Sequence, residues 1–124
     1  MAQVKVFGLR KELNKNKSKI SEIIHSCLVD GLKLPPDKRF YRFFPLNKAD
    51  FIFPDDRTNK YLIIELSMFE GRSVETKKEV IQLIYKRFHE QLNITGNDIE
   101  ITIYETPKNN WGIRGLPADE LILN

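Results

Sequence analysis

A chain of 124 residues, 41% apolar and 30% charged, can bury one hydrophobic core and not two. Its 20 basic and 17 acidic side chains are interleaved, for a formal net charge of +3, which argues against nucleic-acid binding and is compatible with a small anionic ligand. The single cysteine excludes an intramolecular disulfide, and no segment has the composition of a signal peptide or a membrane span, so a cytoplasmic protein is expected.

In chain order, QVKVFGL at residues 3–9 predicts a first strand that stops where charge begins. The basic stretch KELNKNKSK at 11–19 reads as a solvated helix start. From about residue 14 or 15 to Asp30, the residues Ile20, Ile23, Ile24, Cys27 and Leu28 keep helical spacing, and Gly31 suits a left-handed helix end. Cys27 falls on the apolar face of that helix and reads as a small buried hydrophobe. RFYRFF at 39–44 predicts a second strand ending before Pro45, and Phe51–Phe53 a short extended piece.

Tyr61 to Phe69 is the most apolar run and predicts a strand covered on both faces; Glu70, Gly71 and Arg72 link it to a helix. Ser73 is suited to cap that helix, whose stripe is Val80, Ile81, Ile84, Phe88 and Leu92. Arg72 thus stands where a strand ends and a helix begins, an edge at which open α/β sheets bind ligands, and a guanidinium there can form paired hydrogen bonds to a carboxylate. Its alternative role is that of a solvated turn residue.

Ile99 to Glu105 alternates as a fourth strand, with Ile99, Ile101 and Ile103 on one face. The order strand, helix, strand occurs twice. It predicts an α/β (α+β) fold in which two β-α-β halves form a four-stranded mixed sheet with both helices on one face. One domain is expected, with halves at about residues 1–58 and 59–106 and a tail at 107–124. The face left bare includes large residues and predicts oligomerisation through the sheet. In the tail, Trp111 and Arg114 lie in a flexible stretch that can close over a ligand; the alternative is that Trp111 anchors the tail to the core. His25 and His89 have no partners at metal-ligand spacing, so no metal and no cofactor are expected.

Four motifs in this order resemble the tautomerase superfamily over nearly the whole chain: LPPDKRF at 34–40, the strand running into GRS at 71–73, NITGNDIEITIYE at 93–105 and NNWGIRG at 109–115. The malonate semialdehyde decarboxylase-like branch looks nearest. The resemblance implies a homotrimer or hexamer and an amino-terminal proline, exposed by removal of the initiator methionine, working beside carboxylate-binding arginines. Arg72 matches the second arginine of that branch, and Trp111 a tryptophan of the family pocket. The first arginine falls on Glu70, and the aspartate after the proline pair is displaced to Asp37, ahead of Lys38.

The chain reads Met-Ala-Gln where the family has its proline. The key position falls on Ala2 or Gln3, and with methionine removed Ala2 would present a primary α-amine. The resemblance therefore implies Ala2 as catalytic amine, and Arg72, Trp111 and Arg114 as substrate-binding residues. The ligand would be a small carboxylate such as a 2-oxo acid, with no membrane or nucleic-acid partner. Two functions follow as expectations: a tautomerase-like enzyme of weak or altered activity, or a non-catalytic homotrimeric scaffold that retains an anion pocket.

Overall fold

The computed structural model describes residues 2–121. The main elements are β1 (Ala2–Leu9), α1 (Arg10–Leu32), β2 (Tyr41–Leu46), β3 (Leu62–Phe69), α2 (Val74–Leu92) and β4 (Ile99–Thr106). A tail hairpin of β5 (Gly112–Ile113) and β6 (Leu116–Pro117) follows. The sheet order is β2-β1-β3-β4: β1 runs parallel to β2, β3 parallel to β4, and the two halves meet antiparallel at β1 and β3. This is the expected mixed sheet with two helices.

Strand alternation decides which face is covered. Val4 and Val6 of β1, and Leu62, Ile64, Leu66 and Met68 of β3, are buried, while the residues between them are half-exposed. They meet Ile20, Ile23, Ile24, Cys27 and Leu28 of α1 and Val80, Ile84 and Phe88 of α2 in one core. Tyr41 and Phe43 of β2, and Ile101 and Ile103 of β4, pack against the same core from the outer strands. The other face mixes polar and aromatic groups: Phe7 stacks on Phe44 with ring centroids 4.6 Å apart, beside Lys5, Glu65 and Thr102. It is less uniformly apolar than the sequence suggested. Among the described residues, no helix is long and apolar enough to cross a membrane.

Four local expectations are corrected. Helix α1 begins at Arg10 rather than at 14 or 15, because Leu13 is fully buried two turns before Ile20, a single apolar contact hidden in a polar run. Strand β2 continues through Pro45 to Leu46, since it is an edge strand whose outer side needs no ladder donor. Strand β3 is covered on one face rather than both, its residues Ile63, Glu65 and Ser67 being half-exposed on the face that carries no helix; beside it, a 3₁₀ turn at Lys48–Asp50 leads into Phe51–Phe53, and the rings of Phe51 and Phe53 pack against Tyr61 at 5.6 and 4.9 Å. Gly31 lies inside α1, and Lys33 takes the left-handed position instead, with φ 59°.

Gly31 serves the contact between the helices. A Cβ there would stand 2.6 Å from Val80 Cγ2, a stiff β-branched methyl that cannot swing away without leaving its rotamer. Overpacking of this kind costs about 1–3 kcal/mol. Because alanine is also the better helix former by up to about 1 kcal/mol, Gly31→Ala is expected to lower stability in urea by a net 1 kcal/mol or so. In a Val80→Ala background the same change is expected to become neutral or stabilising. A double-mutant cycle showing additivity would assign Gly31 some other role.

Candidate active site at one end of the sheet

The antiparallel meeting of β1 and β3 places the start of the first strand beside the end of the third. Ala2 pairs with Met68, and Arg72 follows four residues later in the link to α2. On the other side of β1, the Val4 N–H donates to the Phe40 carbonyl at 2.8 Å, which brings the entry of β2, with Arg39 and Asp37 just upstream, to the same end. The Glu70 N–H donates to the Thr106 carbonyl at 3.1 Å, tying in the end of β4. Ala2 is only 5% exposed, so the first residue of the strand is fixed and largely dry. Met1, whose removal the catalytic reading requires, lies outside the described residues.

The link is built to turn sharply and start a helix. Gly71 has φ 124°, a backbone state that side chains resist. Ser73 then caps α2, its Oγ accepting from the Thr76 N–H at 3.1 Å. One turn on, Lys77 Nζ bonds Glu105 Oε1 at 2.7 Å and fastens α2 to the end of β4. Arg72, half-buried between these anchors, takes no part in the ion pairs found among the described residues.

Trp111 is half-buried and packs against Phe69 with ring centroids 4.7 Å apart, which joins the tail to the end of β3. Lys108 Nζ lies 5.8 Å from the Phe69 ring centroid, a cation at this edge that sequence reasoning passed over although it sits three residues before the tryptophan. Arg114 is exposed at the tip of the β5–β6 hairpin, where it and Gly115 both have positive φ, 53° and 85°. A two-residue hairpin loop with both central residues at positive φ follows the twist of its strands. Residues 109–117 line a cleft of about 470 Å³ that contains Trp111 and Arg114 and does not extend to Ala2 or Arg72. The fold thus sets Ala2 against the end of β3 that leads to Arg72, reaches Trp111 through Phe69, and places Arg114 with Trp111 in the lining of the tail cleft.

Asp37 is exposed in a turn closed by the Lys38 N–H donating to the Pro35 carbonyl at 3.1 Å. Buried His25 holds this turn: its Nε2–H donates to the Pro36 carbonyl at 2.7 Å, so Nδ1 accepts from the Tyr41 hydroxyl at 3.0 Å. Burial pushes the Tyr41 hydroxyl and the Cys27 thiol above their ordinary values, which keeps the thiol protonated and unreactive.

The model of the family described as "Tautomerase enzyme" matches residues 38–114, more than half of the chain, including Arg72, Trp111 and Arg114. The 2-hydroxymuconate tautomerase of Comamonas testosteroni is 39% identical over 57 residues, which are 46% of this chain and 90% of that relative. Among solved structures, a native fused 4-OT superposes with a TM-score of 0.85 at 18% identity, covering 96% of this chain and 98% of that one. A fused 4-OT solved as a symmetric trimer superposes at 0.78 with 18% identity, covering 94% and 96%. A malonate semialdehyde decarboxylase inhibited by 3-bromopropiolate gives 0.79 at 23% identity, covering 89% and 87%. With the family match spanning the arginine-bearing link and the tail, and with a shared fold over nearly the full length, this chain belongs to the tautomerase enzyme family.

Proposed function

We propose that this protein is a tautomerase of small carboxylates, such as enol and keto forms of 2-oxo acids, that works with the α-amine of Ala2 in place of an amino-terminal proline. The observation that carries the reading is the register of buried Ala2 against Met68, at the end of β3 from which the Arg72 link leads. An α-amine has an unperturbed pKa of about 7.7–8.0. In this reading a guanidinium brought close to the amine would disfavour its charged form and favour a neutral base near pH 7.

In this reading Arg72 binds the substrate carboxylate, with Arg114 as a second cation. The neutral amine accepts the enol hydroxyl proton as the carbonyl forms, and the resulting ammonium returns a proton to a carbon of the conjugated chain. Trp111, held on Phe69, keeps water out. The relatives named above support this class, and the malonate semialdehyde decarboxylase-like branch is the placement we favour. Glu70 in place of that branch's first arginine, and the displaced Asp37, argue against decarboxylation itself. We further propose one domain that assembles as a homotrimer through its uncovered sheet face, so that Arg114 of one copy can complete the site of another.

Ketonisation of 2-hydroxymuconate by the native-start protein and by an Ala2→Pro variant tests the proposal. Turnover by both is expected, faster with the secondary amine. Absence of turnover in both would leave a non-catalytic trimeric scaffold as the better reading.

A further inference from the structure

Corresponding points of the two halves lie 60 residues apart: β1 ends at Leu9 and β3 at Phe69, β2 at Leu46 and β4 at Thr106, and the left-handed residues after the helices are Lys33 and Asn93. The short 3₁₀ helices repeat as well, at Lys48–Asp50 and Lys108–Asn110. Because β1 and β3 are antiparallel neighbours, each repeated feature appears at the opposite end of the sheet. The end away from Ala2 is therefore the pseudo-symmetric counterpart of the candidate site, with Glu12 at the position that corresponds to Arg72. Lys48 stands there as Lys108 stands beside Trp111, and Phe51 takes the place of Trp111. Leu62 takes the place of Ala2, so a peptide group replaces the amine.

That end contains a pocket of about 320 Å³. Leu9 and Leu46 give it an apolar wall, and Arg10, Lys11 and Lys48 surround it against the single carboxylate of Glu12. Arg10 Nε–H donates to Asn47 Oδ1 at 3.0 Å. The bond orients the guanidinium and leaves both Nη groups for an end-on pair of hydrogen bonds to a carboxylate. None of the three cations takes part in the ion pairs found among the described residues. Three cations against one carboxylate, with one cation held in place beside an apolar wall, match a small organic anion.

We propose that this pocket is a second carboxylate-binding site, one that binds without the proposed proton transfer because Leu62 offers a peptide group where Ala2 offers an α-amine. It rests on the proposed function only in the class of ligand. The site would hold substrate-like carboxylates away from the reactive end, at a place whose occupancy each copy of the chain carries independently.

The test is a TROSY-detected titration of the full-length ¹⁵N-labelled protein with malonate, and separately with inorganic phosphate. Malonate is expected to shift the Arg10 Nε–H and the Lys11 and Lys48 amides saturably. In an Arg10→Gln/Lys48→Ala variant the affinity at this end is expected to fall tenfold or more, while shifts around Arg72 stay as they were. An Arg72→Ala variant is expected to keep the Arg10 response in full. Shifts at Arg10 that never saturate, an unchanged affinity in the double variant, or tighter binding of phosphate than of malonate would each overturn the assignment. A saturating response at Arg10 with none around Arg72 would support this site while counting against the function proposed for the other end.

Discussion

Arg72→Ala is expected to lower kcat/KM for a small enol carboxylate by roughly ten- to 150-fold while leaving the fold intact. The range comes from the hydrogen bonds a charged group makes to its partner, about 1.5–3 kcal/mol, at about 1.4 kcal/mol per tenfold in rate. Arg72 is half-buried and outside the ion pairs among the described residues, so its removal strands no partner and breaks no internal network. The thermal midpoint should therefore stay within a degree or two of the parent, as expected for a substitution within about 0.5 kcal/mol. A split in the kinetics is informative: uniform binding of the carboxylate raises KM alone, whereas interaction strengthened in the transition state lowers kcat too. Unchanged kcat/KM in steady-state assays would remove Arg72 from the site.

The largest expected loss of stability is at Phe88. It is fully buried in α2 and is the largest of the fully buried side chains, standing among the core residues shared by both helices and the sheet. Phe88→Ala would remove a ring from a close-packed interior and leave a cavity that stiff β-branched neighbours cannot close, at a cost of about 3–5 kcal/mol. Much of the stability of an ordinary domain, about 5–15 kcal/mol, would go with it. Urea unfolding followed by circular dichroism measures the loss. A change below 1 kcal/mol or so would mean the site relaxes fully, contrary to the packing seen here.

Much of this arrangement is legible in the residues, for reasons that differ from place to place. The junction of β3 with α2 is clear because three local signals agree: an apolar run that stops at Phe69, Gly71 in a turn, and Ser73 as a cap ahead of Val80, Ile84 and Phe88. Gly31 is misread because a glycine near a helix end fits both a left-handed cap and a close approach, and only Val80 on the opposing helix decides between them. The start of α1 is hidden because Leu13 is one apolar residue in a charged stretch, and its burial depends on the sheet it meets. Pro45 looks like a strand terminator until β2 is known to be an edge.

At the candidate site, the place of Arg72 between strand and helix could be read from the residues, and the antiparallel register then sets Ala2 beside that strand. The stacking of Trp111 on Phe69, and the placing of Lys108 over the same ring, could not be read. These contacts join residues about 40 positions apart through a tail whose path no local preference fixes. The same limit applies to Arg114, which sequence reasoning grouped with Arg72 and which the hairpin carries to the rim of the tail cleft.

The central claim is that the α-amine of Ala2, unmasked and held dry beside β3, is the working base. The most direct measurement is the pH dependence of kcat/KM for 2-hydroxymuconate ketonisation, taken on a sample whose intact mass has been determined. The account predicts a mass lacking the initiator methionine and a rate that rises with pH through a single ionisation below the free α-amine value of about 7.7–8.0. Turnover by a chain that retains methionine, or a rate flat across that range, would contradict it.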